Sequence, residues 1–139
     1  MRSNLLNEIE GLSPELMDVQ PKGFNNTIHW HLGHVLSAAE KFLLDSPNNS
    51  NLPANYGQLF GYGSKPADWT GDIPSVEVLK QQLQEQLGRL LEIPEASLNE
   101  KVAQPFREME TVGEFINFVV LHEASHIGQI HAMKLLIQS

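Results

Sequence analysis

The sequence contains no cysteine and few basic residues. Its 139 residues include 9 Lys and Arg against 17 Asp and Glu, which gives a formal net charge of −8. The lack of cysteine excludes disulfides, thiolate metal ligands and a cysteine nucleophile. An acidic chain without a cluster of Lys and Arg is not expected to bind nucleic acid or an anionic membrane, because both need a concentrated positive surface.

Long apolar runs and a targeting segment are also missing from the sequence. No window approaches the roughly 18 consecutive apolar residues that a transmembrane helix needs. The start, MRSNLLNEIE, lacks the basic and apolar regions of a signal peptide. We therefore expect a cytoplasmic protein in which residues 1–139 form a single domain of ordinary size.

The spacing of apolar residues predicts four helices. The first covers 5–16 with a break at Gly11, and the second covers 25–44 and stops at 45–47. The third covers 75–92, and the fourth opens at the capping box of Thr111 and Glu114 and runs nearly to residue 139. No segment shows the alternation of a strand, and the connection after the third helix is expected to hold one helical turn near 95–98. The expected fold is an all-α bundle.

The connection between the second and third predicted helices is long. About 28 residues, rich in Asn, Gly and Pro, could travel the length of a bundle at roughly 3.3 Å per residue. The two helices can therefore run parallel, joined by a crossover. Such a loop is typical of a functional segment, here one walling a pocket over 46–74, although a passive strap of aromatic side chains is the alternative.

All six histidines lie in two windows, on the second and fourth predicted helices: His29, His31 and His34, and His122, His126 and His131. His122 and His126 are four residues apart, so both imidazoles can reach one metal ion from one face of the helix. They also continue the apolar stripe of that helix. Two imidazoles on an inward face lose their hydration, which is costly unless a shared partner replaces it. A metal ion would be such a partner.

A third ligand is expected from the second helix at similar depth. His34 is the candidate, with Gly33 beside it allowing close helix approach, and His31 could approach the same site or supply a supporting hydrogen bond. We expect His29 to face solvent or the helix start, and we assign no role to His131. Three imidazoles leave positions open for water or substrate, which is typical of a reactive or ligand-binding metal, zinc or nickel first and iron or manganese as alternatives.

The segment HEASH also matches the HExxH pattern of zinc peptidases, in which the Glu acts as general base. The match is weak, because the following HIGQIH is one residue short of the HxxGxxH spacing of one such class, and 13 residues after His126 are too few for another ligand helix. Glu123 is then either a solvent-facing residue or a group that polarises a metal-bound water.

The segments NNTIHWHLGHV (25–35) and HEASHIGQI (122–130), with the long crossover between them, resemble the DinB-like (DinB/YfiT) metalloenzyme superfamily. The resemblance runs from about Leu5 to Leu136. It implies a four-helix bundle in up-down-down-up order and a divalent metal ion, typically nickel or zinc, held by His34, His122 and His126. It also implies a homodimer. Characterised relatives include enzymes that attach a low-molecular-weight bacterial thiol to electrophiles and a thiol-dependent maleylpyruvate isomerase, and many relatives have no known activity.

Four hypotheses about function follow from the histidines and the resemblance. The first is a metal-dependent enzyme of the low-molecular-weight-thiol S-transferase type, with a small-molecule substrate. The second is a non-catalytic metal-binding or stress-related bundle. The third is a purely structural bundle that dimerises, and the fourth is an HExxH metallohydrolase. Because the chain has no cysteine, any thiol chemistry requires a thiol cosubstrate.

Overall fold

The structure, a computed structural model, describes residues 1–44 and 50–139 and is mostly helical. Its α-helices are α1 (Arg2–Ile9), α2 (Pro14–Met17), α3 (Ile28–Ala39), α4 (Tyr56–Phe60), α5 (Val76–Leu91) and α6 (Val112–Gln138). A π-helical turn at Glu40–Leu44 continues α3, and 3-10 turns lie at Pro66–Asp68 and Glu95–Ser97. Two antiparallel strands, β1 (Lys101–Phe106) and β2 (Met109–Thr111), form a small hairpin. No helix in the described ranges combines the length and apolar character that spanning a bilayer requires.

The long helices begin within three residues of their predicted starts, and each has a capping side chain there. Thr27 accepts a hydrogen bond from the backbone N–H of Trp30 at the start of α3, and Ser75 caps α5 in the same way. The capping box of Thr111 and Glu114 at the start of α6 is present in both directions. The predicted stop of the second helix at 45–47 lies outside the described residues.

The hairpin corrects the expectation of an all-α chain without strands. Strand β1 shows no alternation, since only its second and last residues, Val102 and Phe106, are partly buried, and its pairing with β2 is irregular. Alternation in the sequence identifies strands that bury one face, so a mostly exposed hairpin gives little signal. The two residues between the strands are Arg107 and Glu108, and Arg107 adopts a left-handed backbone conformation with φ +55°.

Helix α3 lies at the centre of the fold. All its residues from Ile28 to Leu36 are buried, and it packs against α4, α5 and α6. Helix α1 packs against α5 and α6 on another side. Because α3 is enclosed, its three histidines are also buried, and each needs a hydrogen-bonding partner.

Side-chain contacts show which ends of these helices lie near each other. Near the start of α3, His29 contacts the carbonyl of Pro74, just before α5, at 2.8 Å. Just beyond the end of α3, Glu40 accepts a hydrogen bond from Arg89 near the end of α5. The contact of His131 in α6 with Glu8 relates the last turns of α6 to the end of α1.

A chain of buried polar side chains joins four helical segments. Arg2 of α1 donates to Glu123 of α6 at 2.7 Å and to Gln86 of α5 at 3.0 Å. Gln86 in turn donates to Glu40 at 2.8 Å, which also accepts from Arg89. Each buried charged side chain in this network therefore contacts one of opposite charge. Buried ionic groups need such a partner, because an unpaired buried charge is strongly destabilising.

Candidate metal centre

Three histidines from α3 and α6 converge at one point, and we call them the three-histidine group. They are His34, His122 and His126, and their ligand atoms all lie within 4.8 Å of one another. The Nε2 atom of His122 is 3.0 Å from that of His34 and 3.1 Å from that of His126. The structure thus brings together the same three residues that the sequence predicted, and the helical spacing of His122 and His126 places both imidazoles on one face of α6.

His34 is held by contacts on both sides of its ring. Its Nδ1 donates a hydrogen bond to the backbone carbonyl of Phe60, 2.6 Å away, and the indole of Trp30 stacks on the ring at 4.5 Å and 12°. Because Nδ1 carries the proton, the Nε2 of neutral His34 presents a lone pair to the other two histidines. Gly33 explains the close approach of α4, since a Cβ atom there would lie 2.3 Å from the Phe60 ring.

His31 supports the group from within α3. Its Nδ1 lies 2.8 Å from the Nδ1 of His126, so one of these two nitrogens donates to the other. If His126 is the donor, its Nε2 is free to act as a ligand, as expected of a histidine whose other nitrogen is hydrogen-bonded. The Nε2 of His31 is buried and has no hydrogen-bonding partner among the described residues. The prediction that His31 lies close to the site is confirmed.

Burial keeps these imidazoles neutral at pH 7. Desolvation is the largest cause in each case, and it lowers the pKa of His126 to about 3 and those of His31 and His122 to about 4. Repulsion between neighbouring imidazolium charges lowers these three pKa values further. The pKa of His34 is also lowered by burial, although its hydrogen bond to Phe60 opposes the shift. Neutral imidazole is the form that binds metal.

The three-histidine group fits a divalent transition metal by the chemistry of its donors. Metal-to-nitrogen distances of about 2.0–2.1 Å require that two nitrogens on one ion lie no more than about 4 Å apart. The Nε2 separations of 3.0 and 3.1 Å satisfy this limit. A single proton can lie between only one pair of these nitrogens at a time, whereas one cation would accept all three lone pairs.

A cavity of about 1420 Å³ opens beside the three-histidine group and is lined by all of its members. Many residues of 50–65, from the long connection between α3 and α5, line the cavity, and Phe106 and Phe118 line it as well. The described part of the connection therefore lines a cavity, as one of the two alternatives for it predicted. It also contains α4, which no periodic pattern of apolar residues had indicated.

The remaining histidines lie elsewhere. His29 is buried between Asp18 and Pro74, with contacts of 2.7 and 2.8 Å, so it lies near the helix start as expected but does not face solvent. His131 is exposed and pairs with Glu8, away from the group.

Glu123 corrects both expectations for the HExxH motif. Its side chain is buried, and both carboxylate oxygens accept hydrogen bonds from Arg2, at 2.7 and 3.3 Å. Adjacent helical residues are turned by about 100° from each other, so Glu123 faces Arg2 of α1 while His122 faces His34 of α3. It is therefore neither a solvent-facing residue nor a base aimed at the three-histidine group.

Sequence reasoning missed three residues around the site. Trp30 and Phe60 contact His34 through a ring face and a backbone carbonyl, which no motif specifies. Arg107 reaches the cavity from the unexpected hairpin. The aromatic residues of the long connection were the signal available for Phe60. They indicated that aromatic side chains could line a pocket, but not which of them would contact His34.

Comparison with known proteins identifies a family for the chain. The family model described as the DinB superfamily matches residues 1–130. No curated protein matches the chain. The matched region contains the whole of the three-histidine group.

Proposed function

The chain belongs to the DinB superfamily, and on that premise we propose that the three-histidine group binds one divalent transition metal ion, nickel or zinc, in a metal-dependent enzyme of the thiol S-transferase type. The observation that carries the proposal is the convergence of His34, His122 and His126 beside an open cavity. A closed structural site would have four protein ligands and no access, whereas three ligands beside a cavity leave room for a reactant.

The proposed chemistry joins a low-molecular-weight thiol to an electrophilic small molecule. The metal ion would supply Lewis acidity, which lowers the pKa of an incoming thiol and favours the nucleophilic thiolate at neutral pH. The protein's own contribution is to hold the ligand atoms: Phe60 fixes the His34 ring, and His31 fixes that of His126. The rings of Phe106 and Phe118 on the cavity wall exclude water from the reactants.

We further propose a single-domain four-helix bundle in up-down-down-up order for this chain. Two contacts support parallel α3 and α5, that of His29 with Pro74 near their starts and that of Glu40 with Arg89 near their ends. An antiparallel α6 is supported by His126 contacting His31 while His122 contacts His34.

A homodimer in the cytoplasm completes the proposal. Leu121, Leu135 and Leu136 on α6 are each more than half exposed, which suits a contact between copies. The proposed thiol cosubstrate supports a cytoplasmic location, because low-molecular-weight thiols are kept reduced there.

The test starts from metal content in protein purified without a histidine tag. We expect about one nickel or zinc ion per chain by elemental analysis, and we expect His126→Ala to remove it and to lower the melting temperature. His131→Ala is the matched control, because His131 lies on the same helix but is exposed and pairs with Glu8. Metal retention in His126→Ala would contradict the ligand assignment.

Catalysis is tested separately on the metal-loaded protein. Incubation with a panel of bacterial thiols and an electrophile should give conjugate well above the uncatalysed background, and the His126→Ala variant should not. Stoichiometric metal without any conjugate would refute the transferase and favour the non-catalytic metal-binding alternative.

A further inference from the structure

The cavity beside the three-histidine group has a charge opposite to that of the protein. The whole chain carries −8, yet the charged residues that line the cavity are Lys41, Lys65, Arg107 and Glu40. Glu40 is already neutralised, because its carboxylate accepts hydrogen bonds from Arg89 and Gln86.

The three cations on the cavity wall have no acidic partner among the described residues. In the part of the chain that the structure describes, the side chains of Lys41, Lys65 and Arg107 make no ion pair or hydrogen bond, and all three residues are exposed. Most of the other basic side chains have acidic partners, as Lys101 has in Glu110 and Lys134 in Glu8, and Lys22 is the exception among the described residues. Among the described residues, positive charge therefore gathers at the cavity, and cavity walls strengthen its attraction for anions.

Arg107 is the most specifically placed of these cations. It lies at the tip of the hairpin with φ +55°, a conformation that side chains other than those of Gly, Asn and Asp rarely adopt. Backbone outliers of this kind persist where the surrounding structure holds them and often mark ligand-binding residues.

Aromatic rings hold the Arg107 side chain next to the site. Its guanidinium carbon lies 5.2 Å from the Phe106 ring and 5.9 Å from the Phe118 ring, and Phe118 in turn stacks against His122 at 6.0 Å. Contact with an aromatic face leaves the N–H donors of the guanidinium free. Those donors match the two oxygens of a carboxylate in a bidentate pair, which a lysine cannot form.

We propose that the cavity binds a carboxylate-bearing small molecule, with Arg107 as the residue that recognises the carboxylate and with Lys41 and Lys65 adding positive potential. The inference deepens the proposed function and rests on it for the reactive end of the ligand. The carboxylate belongs either to the thiol cosubstrate or to the electrophile, and both present the same group to Arg107.

The experiment measures binding rather than activity. Calorimetric titrations of the metal-loaded protein use 3-mercaptopropionate, which has a thiol and a carboxylate, and 2-mercaptoethanol, which has the thiol alone. Maleate tests the carboxylate alone, and it is titrated into both metal-loaded and chelator-treated protein. The variant is Arg107→Gln, and the matched control is Lys101→Gln, which removes one positive charge from the same hairpin outside the cavity.

We expect Arg107→Gln to weaken binding of the carboxylate probes about tenfold or more, as loss of a charge-assisted pair does. Binding of 2-mercaptoethanol should not change, and Lys101→Gln should change no affinity by more than about twofold. Tighter, Arg107-dependent binding of 3-mercaptopropionate than of 2-mercaptoethanol would place the carboxylate on the thiol. Arg107-dependent binding of maleate after the protein is saturated with 2-mercaptoethanol would place it on the electrophile.

Equal carboxylate affinities in the wild type and Arg107→Gln would overturn the inference, as would failure of both carboxylate probes to bind the wild type. Metal content of both proteins is measured in parallel. If the wild type fails to take up metal but binds maleate through Arg107, the metal proposal alone is refuted. The failures of the two proposals are therefore distinguishable. Matching melting temperatures of the two hairpin variants would show that each retains its fold.

Discussion

Replacement of Gly33 by Ala tests the packing that orients the metal centre. A Cβ atom at this position would lie 2.3 to 2.4 Å from three ring carbons of Phe60, whereas carbon atoms in contact are normally about 3.5–4.0 Å apart. The ring must therefore move by more than about 1 Å. It is fully buried and packed against Tyr56 and Trp69, at 5.4 and 5.6 Å between ring centroids, so it has little room to do so.

The expected cost follows from this overpacking. Extra atoms in a well-packed core destabilise a protein by about 1–3 kcal/mol, which for a domain of this size lowers the melting temperature by roughly 3–10 °C. The displaced Phe60 also carries the carbonyl that accepts the Nδ1 proton of His34. Loss of such a supporting partner typically weakens metal binding about 10- to 100-fold.

The matched control is Gly88→Ala in α5, where an added Cβ meets nothing within 4 Å. Alanine is the better helix former by about 0.5–1 kcal/mol, so this variant should be more stable than the wild type. Thermal unfolding and a competitive metal titration give the two readouts. Should Gly33→Ala prove as stable as Gly88→Ala, with unchanged metal affinity, the packing argument would be refuted.

Two more predictions concern buried charge and pH. Glu123→Gln should lower the free energy of unfolding by about 3 kcal/mol or more, because it leaves the Arg2 charge uncompensated in the interior; denaturant unfolding measures this loss. For chelator-treated protein, stability should fall as the pH drops below about 6.5, the reference pKa of histidine. The pKa values of His31, His122 and His126 are about 4 or below in the fold, so in that range the unfolded chain binds more protons and is favoured.

Each of these predictions has a control and a contrary outcome. Glu110→Gln removes an exposed carboxylate paired with Lys101 at 3.6 Å and should change stability by less than about 1 kcal/mol. A Glu123→Gln variant of wild-type stability but without activity would favour a catalytic role for that carboxylate. For the pH dependence, chelator-treated His126→Ala should lose less stability between pH 7 and 5 than the chelator-treated wild type does. An equal slope in the two proteins would contradict the lowered pKa of His126.

The helices and the ligand triad could be predicted because their signals are local or periodic. His122 and His126 share a face by spacing alone, and His34 was identified because one helix must supply the next ligand at similar depth. The start of α6 followed from the capping box of Thr111 and Glu114, and those of α3 and α5 were predicted to within three residues from apolar spacing.

What the sequence did not predict depends on contacts between distant segments. Nothing near Glu123 indicates that Arg2, far away in the chain, neutralises it, so the HExxH pattern suggested chemistry that the fold does not support. The hairpin was missed because its strands bury too little for an alternating pattern, and with it the position of Arg107.

The neighbouring residues His122 and Glu123 give α6 a single rotational setting. A turn of about 100° around the helix axis in one direction would bring the Glu123 carboxylate among the imidazoles, and the same turn in the other direction would bring His122 against the guanidinium of Arg2. The ion pair on one side and the imidazole contacts on the other therefore define the same orientation twice. A change that loosens the packing of α1 should for this reason be felt as a rotation at the metal centre, even though α1 contributes no ligand to it.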